Sequence, residues 1–435
     1  MGVVIEKLNT YYKYAVIGLF VYMSFHIFLS QWLSTFTGHL DWWKIGKDIF
    51  AWGILIFGSG LVLYAKKANR LFYMLWALLL SYTFLHLSLL LTTDQPNTTG
   101  LLATIYNTRI IWYVIIGYNL VLLAKNKVAQ KKIQTDFIKY LLIVSTIVCV
   151  VALLQWILPK DVMTHFGYSV ERGVKPAFFI DDKPDLPRVM STIRDPNSLG
   201  AFLILPILLL VNLLIKNWKT SKKMMLSGVL LLHLLILFLT FSRGAWLATA
   251  IALAVYSGLT HKKEILKYLN KYKYIIIGLV LILSFGAYAL RDQYVVQNIL
   301  VHSDENTKLE DSNSLHASYL QKGIDGIADQ PSGHGPGTAG LVAIHNKGIL
   351  TENYFVQIGY EVGVIGLLLF LAFLALVFQE LRKSSSPERE IFFSVLAGLI
   401  VINMFLHIWS NEAVVASVFI LIGIKFWEDK TIVIK

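Results

Sequence analysis

Runs of about 18 or more apolar residues recur along the whole chain, and nothing else constrains the fold as tightly. A soluble core needs no stretch of that length, whereas a bilayer core about 30 Å thick needs one for every helix that crosses it. The runs fall near residues 14–34, 47–65, 71–92, 106–124, 138–158, 197–216, 223–241, 244–260, 273–290, 356–379, 390–408 and 412–427. The run at 244–260 is short and the last two are joined by a tight turn, so eleven or thirteen spans also fit. The expectation is an all-α, polytopic transmembrane helix bundle of about 12 spans, a single integral membrane domain over residues 1–435. Composition agrees: of 435 residues 56% are hydrophobic and 15% charged, against about 25% charged in soluble domains. The formal net charge of +12 would point to nucleic acid in a soluble protein. Here the lysines sit in short loops between apolar runs, so the charge reads as topology and no nucleic-acid partner is expected. The one cysteine, Cys149, lies inside an apolar run, which leaves no disulfide framework and no cysteine-based metal site within the chain. The first run is followed by many others and reads as a first span, not a cleaved signal peptide.

Sidedness follows from the basic residues. With the N-terminus cytoplasmic, the even-numbered connections hold Lys66, Lys67 and Arg70, then Lys125 to Lys139, Lys216 to Lys223, Lys262 to Lys273, and Arg382, Lys383 and Arg389. About 25 of the 39 basic residues then lie inside, with both termini cytoplasmic. Arginine runs against this trend. Six of the nine, Arg109, Arg172, Arg188, Arg194, Arg243 and Arg291, fall on the outer side. Arginine offers a planar fork that suits phosphate and carboxylate oxygens, and near a span end it is costly unless something anionic meets it. Pairing with the loop acids Asp181, Asp182, Asp185 or Asp195 is the plainer explanation for any one of them.

Two outer loops dominate. The first, 159–196, closes in Pro187-Arg188-Val189-Met190-Ser191-Thr192-Ile193-Arg194-Asp195-Pro196-Asn197, a turn and helix entry in which Asn197 is placed to cap the next span. The second, 291–355, is of a length that is usually functional or disordered. It carries an amphipathic helix near 315–329, with Leu315, Leu320, Ile324 and Ile327 on one face, and then the bend Pro331-Ser332-Gly333-His334-Gly335-Pro336-Gly337. Such short helices in a large extracytoplasmic loop complete the expected architecture.

Taken together, Arg188, Arg194, Arg243 in Thr240-Phe241-Ser242-Arg243-Gly244, His316 at the start of the loop helix, and Glu352-Asn353 before the next span offer cations able to hold a diphosphate and groups able to accept a proton. Glu361 lies inside that span and reads as a cap or bundle pair. His334 serves the bend, and His26, His86, His233 and His407 read as packing residues. No two histidines stand at metal-ligand spacing with a third ligand nearby, so no metal is expected. No phosphate-binding Gly-Lys-Ser/Thr loop is present, so no direct use of ATP is expected.

Three blocks of sequence resemble the O-antigen ligase and polysaccharide polymerase superfamily of bacterial envelope enzymes. They are Arg188 to Phe202 with Asp-Pro-Asn-x-Leu-Gly, Thr240 to Trp246 with Ser-Arg-Gly, and His316 to Gly340 followed by Thr351 to Leu369 with Gln357, Glu361 and Gly363. The resemblance implies inverting glycosyl transfer from an undecaprenyl-diphosphate glycan at the outer side of the bacterial cytoplasmic membrane, with no cofactor, metal or nucleotide sugar. It implies that Arg188 and Arg243 bind the diphosphate; Arg194 is expected to assist them. Partners would be the lipid-linked donor, a glycan acceptor, membrane lipid and a chain-length regulator. Two departures stand out: His316 replaces an arginine usual in ligases, and Glu352-Asn353 replaces their usual His-Asn pair. His345-Asn346 is such a pair but lies seven residues too early for the register of Gln357 and Glu361. The departures favour a repeat-unit polymerase over a ligase onto lipid A core, and they suggest Glu352 as the base with His316 as second candidate. An O-antigen ligase or a protein O-oligosaccharyltransferase is the runner-up within the same chemistry, distinguished by its acceptor. A lipid-linked glycan transporter or flippase is the rival of another class. The sequence shows neither the inverted repeats nor the broken mid-membrane helices common in transporters.

Overall fold

The computed structural model describes residues 2–92, 96–180, 183–215, 219–260, 312–343, 348–384 and 388–426. The expected span 273–290, Arg291, His345-Asn346, and Asp181 and Asp182 lie outside the described residues. The chain is an all-α, polytopic helical protein, with helices α1 (Gly2–Met23), α2 (His26–Thr37), α3 (Leu40–Tyr64), α4 (Arg70–Leu90), α5 (Asn97–Leu123), α6 (Lys127–Ile157), α7 (Pro196–Ile215), α8 (Thr220–Leu239), α9 (Arg243–Thr260), α10 (Ser312–Asp329), α11 (Tyr354–Lys383), α12 (Arg389–Asn403) and α13 (Glu412–Lys425). A short antiparallel hairpin, β1 (Phe178–Ile180) and β2 (Lys183–Arg188), stands before α7. Among the described residues seven helices are long and apolar enough to cross a membrane, or eight if α1 and α2 count as one broken span.

That broken span departs from the continuous run expected at 14–34. The chain turns by 84° between α1 and α2. The reason is polar: α2 buries His26, Ser30, Gln31 and Ser34, a stripe that needs protein partners and not lipid. The last two helices are shorter than their expected spans, at 15 residues for α12 and 14 for α13. Every residue of α13 is buried, so it runs through the middle of the bundle and not along its lipid face. It packs on α5 through reciprocal glycines: a Cβ at Gly117 would strike the Ile420 carbonyl, and one at Gly423 would strike the Val114 carbonyl. Small residues at crossing points let two backbones approach, the usual device where lipid removes the hydrophobic drive between helices. Gly398 on α12 meets the Ala248 carbonyl on α9 in the same way.

Polar ties mark the two ends of the bundle. At one end Lys13 meets Asp136 at 3.1 Å, Asn69 donates to the Tyr118 hydroxyl at 2.7 Å, and Lys425 meets Glu388 at 2.9 Å. At the other, Thr192 donates to the Ser24 carbonyl at 2.8 Å, Gln155 Oε1 accepts from Met190 N at 3.0 Å and Ser191 N at 2.9 Å, and His26 Nδ1 lies 2.8 Å from Glu412 Oε1. The candidate residues gather at this second end.

Candidate functional site

Arg188 ends β2, and its neighbour Val189 donates from its backbone to the Leu239 carbonyl at the close of α8, 3.2 Å away. This seats the arginine against the α8–α9 turn. Its Nε donates to the Thr240 carbonyl at 2.8 Å and its Nη2 to Asn197 Oδ1 at 2.8 Å. Arg188 therefore clasps the turn that carries Arg243 and the entry of α7 together. A lysine has its donors on one rotating nitrogen and no planar fork, so it would not hold the two acceptors in this fixed geometry. Asn197 is thus a partner of Arg188, and the expected cap of α7 is Asp195 instead. Asp195 Oδ1 accepts from Ser198 N at 2.9 Å and Oδ2 from Ser198 Oγ at 2.7 Å. A carboxylate at a helix start suits the exposed N–H groups better than an amide, which frees the amide for the guanidinium.

The turn itself is tight. Phe241 has φ +46, Thr240 Oγ1 accepts from Ser242 N at 3.2 Å, and Arg243 opens α9. Directly behind it, a Cβ on Gly244 would meet Ile402 and Leu406 in ordinary contact. The segment 404–411 after α12 is therefore a wall shared by Arg243 and whatever lies on its other side.

Glu352 borders the same wall. Asn353 Oδ1 caps α11 by accepting from Phe355 N at 2.9 Å and Val356 N at 3.0 Å, while its Nδ2 donates to the Met404 carbonyl at 3.0 Å. Thr351 Oγ1 lies 3.2 Å from His407 Nε2. Glu352 between them takes φ +48, a left-handed backbone that costs a side-chain-bearing residue roughly 1–2 kcal/mol. Strain held by flanking contacts on both sides is common at functional positions. The wall is braced in turn: Asn403 Oδ1 accepts from Trp409 N at 3.0 Å, Asn411 caps α13, and Arg109 donates to the Ser410 carbonyl. Arg188 is thus bonded to the turn that ends in Arg243, while Gly244 after Arg243 and the residues on either side of Glu352 border the 402–407 segment.

His316 lies in the first turns of α10, two turns ahead of Gly323. At Gly323 the helix touches Thr351 and Val356, and at Gly326 it touches Tyr360, so α10 lies across the start of α11. Arg194 is not part of the clasp. It is half-buried, and its charge acts on Lys44 of α3.

Glu361 is fully buried and structural. Its Oε1 accepts from Gly337 N at 2.9 Å and Ala339 N at 3.4 Å, and its Oε2 from Asn107 Nδ2 at 2.8 Å and Gln357 Nε2 at 3.5 Å. The sequence led us to expect no broken helix, yet α11 is broken at Val362 and Gly363. The Gly-rich segment fills the break: His334 N donates to the Tyr360 carbonyl at 2.9 Å, Gly335 N to the Glu361 carbonyl at 2.9 Å, and Val364 N to the Pro331 carbonyl at 2.9 Å. The His334 ring stacks on Tyr360 at 4.0 Å. Backbone groups freed by the break are satisfied by the loop, as they must be at membrane depth. Gly359 and Gly363 flanking Glu361 were the sequence signal for it. The sequence also missed a buried ionic cluster beneath the wall. Arg109 lies 3.7 Å from Glu412, which His26 also meets, and Lys47 lies 2.9 Å from Asp48.

Two comparisons bear on this arrangement. A family model described as O-antigen ligase matches residues 227–371, a stretch that includes Arg243, His316, Glu352 and Glu361 and excludes Arg188 and Arg194. The chain is also similar to an O-antigen polymerase of Salmonella muenchen, 22% identical over 239 residues, or 54% of this chain. The match spans 58% of that relative's length. Both findings support the O-antigen ligase and polymerase superfamily, which the three sequence blocks resemble.

Proposed function

With that superfamily as its kin, we propose that the protein polymerises lipid-linked oligosaccharide repeat units at the outer side of a bacterial inner membrane. One undecaprenyl-diphosphate glycan is the donor. The acceptor is the terminal hydroxyl of a second. Glu352 takes the hydroxyl proton as the oxygen attacks the anomeric carbon, and the bond from that carbon to the diphosphate breaks. The diphosphate departs with the electron pair, held by Arg188 and Arg243, and in-line attack inverts the anomeric centre. Positioned cations act where charge develops, and one such donor is worth about 2.7–4 kcal/mol of barrier. His316 is the second candidate for the base.

The observation that carries this reading is the clasp of Arg188 on the Thr240 carbonyl, which sets two guanidinium-bearing segments side by side within reach of the turn that also seats Glu352. The polymerase reading rests on Glu352 standing where ligases have a histidine, and on the relative's printed function. A ligase would share the chemistry and differ in acceptor. A transporter is disfavoured because the broken helix α11 is closed by the protein's own loop and its buried Glu361 is spent on that loop. We expect Arg243→Ala to abolish polymer formation from lipid-linked repeats; unchanged polymer length and amount would refute the mechanism.

A further inference from the structure

Arg194 has no hydrogen bond or ion pair with any described residue. The acid next to it in sequence, Asp195, is turned into α7, where both its oxygens serve Ser198. A half-buried guanidinium left in this state next to a membrane span calls for an anion from outside the protein.

Its surroundings are cationic. Arg172 of the first loop binds Gln31 and Ser34 at the end of α2, with Nε 3.1 Å from Gln31 Oε1. The ammonium of Lys44 donates to the Arg172 carbonyl at 3.1 Å and keeps two N–H groups for other partners. Arg194 and Arg172 both lie near enough to Lys44 for their charges to act on it, and Asp41, the acid that acts on it, is exposed. Beneath the trio the charges are already matched. Lys47 meets Asp48, and Arg109 and His26 meet Glu412.

The trio and the Arg188 clasp are separate but rigidly spaced. Arg188 is bonded to the α8–α9 turn and the entry of α7, whereas the charge of Arg194 acts on Lys44 of α3. Between them the chain is pinned by Val189 N on the Leu239 carbonyl, Met190 N and Ser191 N on Gln155, Ser191 Oγ on the Val148 carbonyl, and Thr192 Oγ1 on the Ser24 carbonyl. Six residues of chain reach at most about 20 Å. Two anions on neighbouring lipids in one leaflet fit that interval.

We propose that Arg194, Lys44 and Arg172 form a second diphosphate subsite, which holds the lipid diphosphate of the acceptor while Arg188 and Arg243 hold that of the donor. This deepens the polymerase reading and rests on it. A polymerase whose two substrates both hang from lipid diphosphates must hold two such groups at the same surface. The subsite takes a diphosphate on an isoprenoid chain, and the glycan beyond it extends toward Glu352.

The test is native mass spectrometry of the purified full chain in detergent, titrated with farnesyl diphosphate, with phosphatidylglycerol as competitor. Wild type should bind two molecules. Arg188→Gln and Arg194→Gln should each lose a different one, with the affinity of the lost step falling at least about tenfold. Because Arg194 holds no described partner, its replacement should leave the thermal midpoint unchanged. Two molecules bound by Arg194→Gln with wild-type affinity would overturn the proposal. A single molecule on wild type, lost in Arg188→Gln, would overturn the second subsite and spare the donor site. No binding to wild type would sink both. Equal displacement by phosphatidylglycerol would overturn it in favour of a general anionic-lipid site.

Discussion

The Arg188 Nε donates to the Thr240 carbonyl at 2.8 Å, across 52 positions of sequence, and so fixes the loop before α7 to the turn that opens α9. This bond does two things. With the bond to Asn197 it orients the guanidinium, and it ties that guanidinium to the turn that ends in Arg243. A diphosphate leaving group carries charge on several oxygens, and two preset cations need no reorganisation as it departs.

Arg188→Lys should therefore lose activity despite keeping its charge. The lysine lacks the planar fork that fixes Thr240 and Asn197 in one geometry, so its ammonium is less firmly placed. We expect the initial rate of polymer formation to fall by about 10²-fold or more, close to the effect of Arg188→Ala. A lysine variant near wild-type rate would show that charge alone suffices.

Glu361 should matter for stability and not for chemistry. Its removal leaves the Gly337 and Ala339 N–H groups and the Asn107 amide without their acceptor in a buried site. Each unsatisfied buried group costs about 1–3 kcal/mol. Glu361→Ala should lower the thermal midpoint sharply, and Glu361→Gln less so because Gln keeps one acceptor oxygen. Equal midpoints for the two variants would contradict this assignment.

The Gly-rich loop depends on a backbone fit between Gly333 and Gly363. Both have positive φ, at +96 and +69, and a Cβ on Gly333 would stand 2.5 Å from Gly363 N. Gly333→Ala and Gly363→Ala should each undock the loop, because the strain of about 1–2 kcal/mol is added to a clash with main chain that cannot yield. Limited proteolysis should then cut within 330–340, and wild type should resist cutting there.

Much of this was legible in the sequence, and the misses share a cause. Long apolar runs marked nearly every described helix, because length and hydropathy are local properties. The Arg188, Ser-Arg-Gly and Glu352 segments each stood out, since arginines outside and Gly-rich turns are local signals too. Their junction was hidden because it runs through backbone carbonyls, those of Thr240 and Met404, which no side-chain pattern reveals. The pairing of Arg109 with Glu412 joins residues 303 positions apart, and only the close approach of α5 and α13 at Gly117 and Gly423 makes it possible. The bend after α1 and the break at Gly363 were read as continuous helix because the apolar run continues through both. There the polar stripe of α2 and the docked loop, not hydropathy, set the geometry.

Glu352 carries the central claim, and one comparison tests it most directly. Purified protein in detergent is given synthetic undecaprenyl-diphosphate repeat units, wild type beside Glu352→Gln, with melting curves to establish that both are folded. The account predicts a ladder of longer lipid-linked glycans with wild type and none with the variant. A ladder that survives the substitution would contradict Glu352 as the base and move that role to His316.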